Sequence, residues 1–170
     1  AKEAAIIKEA TAALQKNQND LEARVRRSDA ALKAGKNDMA IEDYTVLLDK
    51  APTAGAYFNR GQAYAHIGEH DKAIADLTSA LGIDANLAYA YYFRGNLHSQ
   101  MGDDKKAIAD YDSAIGILRT NDFFFFSRGE SYFKLGDYQS AINDWKKAKA
   151  LGFVQKDLLK SRIAAAKAKM

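Results

Sequence analysis

The 170-residue sequence has no cysteine and a single proline, Pro52. Without cysteine there is no disulfide and no thiolate metal site, and the chain fits either an exported or a cytosolic protein. The scarcity of proline favours helix throughout, because proline breaks helix interiors. No run of 18 apolar residues occurs, so the sequence predicts no membrane-spanning helix. Without a membrane-spanning helix, we expect a soluble protein. Because the sequence begins at Ala1 rather than Met, any targeting signal is out of sight, and the compartment, cytoplasmic or exported, stays open.

The chain as a whole has little excess of positive over negative charge, since the formal net charge is only +3. It is unevenly distributed, because residues 145–170 hold eight lysine and arginine residues and one aspartate. The simplest interpretation is a solvated last helix, because cations near the C-terminal end of a helix interact favourably with its dipole. The alternative is contact with an acidic partner or an anionic surface.

Motifs of catalysis and metal binding are absent as well. His66 and His70 are four residues apart, but Gly68 lies between them and is expected to end a helix, so they do not predict a metal site. The sequence contains no His-Glu-x-x-His, phosphate loop or nucleophile elbow. We therefore predict no catalytic residue, no metal and no cofactor, and a protein that is not an enzyme.

What the sequence does contain is an internal repeat. Arg-Gly recurs at residues 60–61, 94–95 and 128–129, a step of 34 residues. Ala-Ile-Ala-Asp at 73–76 and 107–110 keeps the same spacing. A fixed period of this length is the signature of one supersecondary unit stacked on itself. It favours a binding scaffold over an enzyme.

Each repeat predicts a helix, a tight turn and a second helix. Tyr57, Gly61 and Tyr64 recur at helical spacing, and Gly68 can adopt the left-handed conformation that follows a helix. Residues 73–81 continue as a second apolar-periodic helix. The mid-helix glycines cost roughly 1 kcal/mol relative to alanine, which is explained if the second helix approaches closely. The close approaches are predicted at Gly61, Gly95 and Gly129. Alanines of the second helix, among them Ala73, Ala107 and Ala141, offer matching shallow places, and Leu77, Tyr111 and Trp145 are expected to fill the space between the helices.

An arginine and an aspartate stand 16 residues apart in every repeat. Because the two helices fold back on each other, each pair is predicted to meet across its hairpin and to fix the helix register. The alternative, an anion-binding ladder of arginines, would need the aspartates to be absent. The predicted pairs are Arg27–Asp43, Arg60–Asp76, Arg94–Asp110 and Arg128–Asp144.

The pattern Gly…Tyr…Gly…Ala…aromatic…Ala at this period resembles the tetratricopeptide repeat. The resemblance covers residues 21–153 and implies an all-α fold, a right-handed α-solenoid of helix–turn–helix repeats with flanking helices. His98 departs from the pattern, which has Tyr at that place. The implied organisation is a helix or partial repeat at 1–20, repeats at 21–53, 54–87, 88–121 and 122–153, and a capping helix at 154–170.

Aromatic residues open the third and fourth repeats in runs, at 89–93 and 123–126. Successive helical residues point about 100° apart, so a single stripe cannot bury them all. An exposed apolar patch commonly marks a partner site, and the alternative is that all the rings pack between repeats. In the resembled family the first helices line a concave groove. The peptide-binding residues implied here are Phe58, Gln62, His66, Tyr89, Tyr92, Asn96, Phe123, Phe126, Glu130 and Phe133.

The resemblance implies a non-catalytic scaffold or adaptor that holds a partner peptide or helix in this groove. Phe58, Tyr92 and Phe126 would anchor the peptide, and we expect them to stand apart from the residues that pack the core. Family members that bind acidic chaperone tails carry Lys, Arg and Asn at these places, so the resemblance argues against that role.

Two other kinds of partner are a second copy of this chain and a nucleic acid. In the first alternative the chain is a self-assembly module, a homo-oligomer in which the groove receives a terminal helix of a neighbouring copy, residues 1–16 or 154–168. A nucleic acid is not the expected partner, because the basic residues lie on the last helices and the rings in the groove.

Overall fold

The computed structural model describes all 170 residues, in ten α-helices with no strand, and the all-α prediction is confirmed. The chain divides into two compact units, unit 1 (Ala1–Ala85) and unit 2 (Asn86–Met170). Unit 1 contains α1 (Lys2–Lys16), α2 (Leu21–Lys33), α3 (Asn37–Lys50), α4 (Ala54–His66) and α5 (His70–Ile83). Unit 2 contains α6 (Ala88–Gln100), α7 (Asp104–Ile117), α8 (Asp122–Lys134), α9 (Tyr138–Leu151) and α10 (Lys156–Lys167).

The predicted helix–turn–helix hairpins are present in both units. In unit 1, α2 packs on α3 and α4 on α5, and in unit 2, α6 packs on α7 and α8 on α9. Gly68 closes the turn after α4 with φ +80°, and the Glu69 amide donates back to the Tyr64 carbonyl at 3.0 Å. This conformation suits glycine because it has no Cβ. The same turn glycine recurs at Gly35, Gly102 and Gly136.

Polar side chains fix where several helices begin. Thr53 accepts a hydrogen bond from the Ala56 amide at the start of α4, and Asn121 accepts one from the Phe123 amide at the start of α8. Asp137 does the same for α9. Such caps satisfy amides that lack a partner within the helix and stabilise it by about 1 kcal/mol each.

The glycines inside the first helices allow the paired helices to approach closely, as predicted. A Cβ on Gly129 would lie 2.7 Å from Nε1 of Trp145, and one on Gly95 would lie 2.8 Å from Cε1 of Tyr111. Both distances are shorter than van der Waals contact, so no side chain fits without rearrangement. Trp145 is completely buried and is the largest core side chain of unit 2.

All four predicted Arg–Asp pairs are formed, each through two hydrogen bonds. In the α8–α9 hairpin, Nε and Nη2 of Arg128 donate to the Asp144 carboxylate at 2.8 and 2.7 Å. The Asp144 side chain is 8% exposed, so the pair is largely desolvated. Such a pair fixes geometry more than it adds stability, but removing one partner is costly. The other pairs are Arg27–Asp43, Arg60–Asp76 and Arg94–Asp110.

Arg60 and Arg128 also tie their hairpin to the helix before it, which the repeat spacing alone does not predict. Nη1 of Arg60 donates to Thr45 on α3 at 3.0 Å, and Nη1 of Arg128 donates to Asp112 on α7 at 2.6 Å. The hydrogen bond with Asp144 raises the pKa of Arg128, which keeps the guanidinium charged. In α2 a further arginine, Arg24, joins the first pair and donates to Asp43 at 2.8 Å.

The first and last helices complete the two units. Helix α1 packs on α2 and buries Ile7, Ala10 and Leu14. Helix α10 packs on α9 and buries Leu159 and Ala166. None of the ten helices has the length and apolar character that crossing a membrane requires.

Candidate functional site

Unit 1 contains an open cavity of about 490 Å³ between α2 and α4, here termed the α2–α4 cavity. It lies on the helix faces that carry Gln62 and His66, two of the residues that the family resemblance implies for peptide binding. The lining residues are Asp29, Leu32, Lys33, Tyr44, Asn59, Gln62 and His66.

Asp29 is the centre of the hydrogen bonding in this cavity. Its Oδ1 accepts a short hydrogen bond, 2.6 Å, from the Tyr44 hydroxyl and a longer one, 3.5 Å, from Nδ2 of Asn59. Burial and, after it, the hydrogen bond to Asp29 raise the pKa of Tyr44, which keeps the phenol protonated and donating. The carboxylate is therefore held in place by two neighbouring helices.

The remaining cavity residues are polar and partly accessible. Gln62 is half-buried, and His66 is exposed at the rim, with its Nδ1 3.3 Å from Oδ1 of Asn37. Lys33 is exposed one helical turn after Asp29, so the cavity presents both charges. Amide side chains donate and accept hydrogen bonds as peptide groups do. This lining suits an extended polypeptide, and Phe58 lies half-buried on the same helix.

In unit 2 the corresponding helix α6 carries Tyr89, Tyr92 and Asn96. Tyr92 packs against Phe124 with ring centroids 4.9 Å apart, and Tyr89, 50% exposed, meets the same ring edge-on at 5.5 Å. Asn96 accepts a hydrogen bond of 2.7 Å from the Tyr111 hydroxyl. All three side chains thus contact neighbours within unit 2.

Helix α8 presents Phe123 and Phe126 to Phe153, a residue of the connection between α9 and α10. Phe126 stacks on Phe153 with centroids 4.5 Å apart and planes 17° apart. Phe123 meets Phe153 edge-on at 5.5 Å and remains 48% exposed. Phe153 itself is 2% exposed and belongs to the core. The aromatic face of α8 is therefore covered at Phe126 by a residue of its own chain and remains partly exposed at Phe123.

The other two predicted site residues of α8 are also engaged. Glu130 forms an ion pair with Arg162 of α10 at 3.0 Å. Burial raises the pKa of the Glu130 carboxyl, and the attraction of Arg162 opposes that shift only in part. Phe133 packs on Trp145 at 5.7 Å, and the Lys169 ammonium lies 6.0 Å from its ring centre.

The expectation that the anchoring aromatic residues stand apart from the core is wrong for two of them. Phe126 packs against the cluster that contains Trp145 and Phe153, and Tyr92 packs against the cluster that contains Phe124. The reason is that each of these rings meets an aromatic residue of another segment: Phe126 meets Phe153 of the α9–α10 connection, and Tyr92 meets Phe124 of α8. Their role in binding stays a prediction, but their role in packing is a finding.

Sequence reasoning missed several residues that shape these surfaces. Asn59 and Tyr44 line the α2–α4 cavity, and a signal existed for Asn59, which stands three residues before Gln62 on the same helical face. Phe124 is completely buried, although nothing in a run of four phenylalanines distinguishes it. Phe153 lies in a connection between helices, where the repeat pattern makes no prediction.

Comparisons with known proteins agree with the geometry. Family models described as tetratricopeptide repeat match residues 25–88 and 88–120, together more than half of the chain. The chain belongs to the tetratricopeptide repeat family. Its repeats form an α-solenoid fold, and proteins of this family are generally non-catalytic scaffolds for protein–protein interaction. The search against curated proteins found no match.

Solved structures of the same fold include a crystal structure of MamA, with 29% identity, a TM-score of 0.80 and 85% of each chain covered. TTC0263, a tetratricopeptide repeat protein of Thermus thermophilus, has 23% identity and a TM-score of 0.69, covering 95% of this chain and 89% of that one. The first such domain of Spaghetti (RPAP3), bound to the HSP90 peptide SRMEEVD, has 18% identity and a TM-score of 0.65, covering 68% and 91%.

Proposed function

We propose that this protein is a non-catalytic adaptor whose α2–α4 cavity holds an extended peptide segment of a protein partner. The observation that carries the proposal is the contrast between the two units. The cavity of unit 1 is open and lined by hydrogen-bonding side chains, whereas Phe126 and Glu130 of unit 2 already contact Phe153 and Arg162. A groove that is open before binding is the better candidate for a partner.

The mechanism follows from a rigid site. Asp29 is fixed by Tyr44 and Asn59, so an arriving backbone amide meets an acceptor that is already in place. Gln62 and Asn59 supply further donors and acceptors along the same face. A preorganised site loses little conformational entropy on binding. One such cavity is expected to give a dissociation constant in the micromolar range, about −8 kcal/mol.

The complex that supports an adaptor most directly is that of the RPAP3 domain with its HSP90 peptide. At 18% identity that structure supports the use of the fold and not the choice of peptide. The acidic chaperone tail is not the ligand that we propose, because Val25 and Phe58 stand at the groove places where the family's tail-binding members carry cations or amides.

The experiment is site-specific photo-crosslinking in an extract of the source cell. A photoreactive side chain placed at His66, on the rim of the α2–α4 cavity, is expected to capture a partner polypeptide. The matched control places the same group at Ser79, an exposed residue of α5 that does not line the cavity. Equal capture at both positions would contradict the proposal. Crosslinks only between copies of this chain would favour the self-assembly alternative.

A further inference from the structure

Unit 2 has a second recess, the α7–α9 cleft, on a different face of α8 from the one that carries Phe126 and Glu130. It has a volume of about 600 Å³. Phe125 and Arg128 line it from α8, Asp112 and Gly116 from α7, and Lys147 from α9. Arg119, in the connection after α7, completes its rim. Nothing in the proposed peptide site uses these residues.

The floor of the cleft is partly apolar and has room for a ligand. Phe125 is only 8% exposed, because the Arg128 guanidinium and the Lys147 ammonium lie 5.6 and 6.0 Å from its ring centre. Ile115 also lines the cleft, and a Cβ built on Gly116 would meet no atom within 4 Å. The cleft is therefore an open recess in which the space over Gly116 is free.

The rim of the cleft carries cations that the protein does not neutralise. Arg128 is balanced by two carboxylates, Asp144 at 2.7 Å and Asp112 at 2.6 Å. Arg119 and Lys147 are exposed, and neither forms an ion pair with a carboxylate. Three cations thus face two carboxylates, and the net positive charge lies at the two unpaired cations, Arg119 and Lys147, an arrangement that favours an anionic ligand.

A comparison within the chain shows that the repeat does not need these cations. Thr45 in unit 1 receives Nη1 of Arg60 just as Asp112 receives Nη1 of Arg128, so the two hairpins can be matched residue by residue. Asp49, four residues after Thr45, stands where unit 2 has Gly116. Ser79, three residues after Asp76, stands where unit 2 has Lys147. Pro52, seven residues after Thr45, stands where unit 2 has Arg119. The repeat frame needs a cation at neither place, so Arg119 and Lys147 are not structural requirements.

We propose that the α7–α9 cleft binds an acidic segment of a protein partner. Carboxylates of that segment would pair with Arg119 and Lys147, and an aliphatic side chain would occupy the space over Gly116 beside Ile115. The excess of basic residues in 145–170 would speed the approach of such a partner.

The test uses the full chain and a synthetic probe, the capped pentapeptide Glu-Glu-Leu-Glu-Glu, followed by nuclear magnetic resonance of the backbone amides. Addition of the peptide is expected to shift the Gly116 amide signal in a saturable way. Gly82, which stands one 34-residue period earlier and is likewise open, is the internal reference and is expected to stay in place. This readout does not depend on the α2–α4 cavity, so it can fail or succeed independently of the proposed function.

Two pairs of substitutions separate a site from diffuse charge. Arg119→Ala with Lys147→Ala is expected to weaken peptide binding by at least about tenfold, since charge-assisted hydrogen bonds are lost. Lys146→Ala with Lys149→Ala removes the same charge from exposed positions of α9 outside the cleft and is expected to leave affinity within about threefold.

A third substitution blocks the cleft without changing any charge. Gly116→Leu is expected to abolish peptide binding, followed at the Lys147 amide because this variant lacks the Gly116 signal, whereas Gly82→Leu preserves binding. Equal weakening by both pairs of alanine substitutions, binding that survives Gly116→Leu, or no binding at all would overturn the proposal. Binding to phosphatidylglycerol vesicles through Arg119 and Lys147, with the peptide ignored, would overturn it in favour of a membrane surface.

Discussion

Units 1 and 2 are built from the same hairpin, yet their groove-side surfaces meet different neighbours. In unit 1 this surface opens into a polar cavity around Asp29 and Gln62. In unit 2 it meets Phe153 and Arg162, which belong to the end of the same chain. The repeated Arg, Asp and Gly residues therefore set the frame, and residues outside the repeat pattern decide which surface remains available.

The largest difference should come from the buried carboxylates. Asp43→Ala leaves both Arg24 and Arg27 without their carboxylate, so we expect it to destabilise the protein by about 3–5 kcal/mol. Asp144→Ala should cost less, because Arg128 keeps Asp112. Urea unfolding of both variants measures the two losses. Equal midpoints for the variants and the parent would mean that the pairs are not buried in solution.

The covering of unit 2 predicts that its groove rings are structural. Phe153→Ala removes a buried ring that stacks on Phe126 and should lower stability by about 3–4 kcal/mol. Gln62→Ala in the open cavity of unit 1 should stay within about 0.5 kcal/mol of the parent. Thermal unfolding followed by circular dichroism compares them. If the Phe153→Ala protein were as stable as the Gln62→Ala protein, the groove-side surface of unit 2 would not be packed against Phe153 in solution.

The glycine contacts sharpen the comparison further. Gly129→Ala places a methyl group 2.7 Å from Trp145, and we expect a loss of about 1–3 kcal/mol from overpacking. Gly61→Ala meets Leu77 at 3.2 Å, where a small shift and the roughly 1 kcal/mol gain in helix propensity nearly cancel. Denaturant midpoints of the two variants decide this. A larger loss in unit 1 than in unit 2 would contradict the packing of Gly129 on Trp145.

The smallest effect concerns Glu130 and pH. Because its pKa is raised in the folded protein, its contribution to stability is present below the unfolded pKa and is lost as pH rises through the folded pKa. Stability of the parent relative to Glu130→Gln should therefore fall as the pH rises above the ordinary pKa of a glutamate, about 4.3, by less than about 1 kcal/mol. Unfolding curves at several pH values give the slope. A slope of the opposite sign would mean that Arg162 outweighs the effect of burial.

The repeat frame could be predicted because its signals recur. The 34-residue step placed Arg94 with Asp110 and located the close approach at Gly129, and both are present. Residues that recur with the period occupy equivalent places in every copy, so the pairing predicted for one hairpin applies to all four. The all-α class followed from the same period.

The surfaces were harder to predict, because they depend on residues that occur once. Phe153 follows Gly152, whose φ of +106° ends α9 in a left-handed conformation where the corresponding helices α3 and α5 end in extended backbone, and its ring lies over Phe126. The 34-residue repeat does not predict this contact. Asn59 lines the cavity and donates a hydrogen bond to Asp29, which is 30 residues away in the sequence. Only the packing of α2 beside α4 brings these two residues together.

The central claim is that partner binding depends on the open cavity of unit 1 and not on the covered face of unit 2. Calorimetric titration with the peptide recovered by crosslinking tests it, using Asn59→Ala with Gln62→Ala against Glu130→Gln. We predict a loss of about tenfold or more for the first protein, from two hydrogen-bonding groups worth roughly 1 kcal/mol each. We predict unchanged affinity for Glu130→Gln. Unchanged affinity for the first protein and a tenfold loss for the second would contradict the claim.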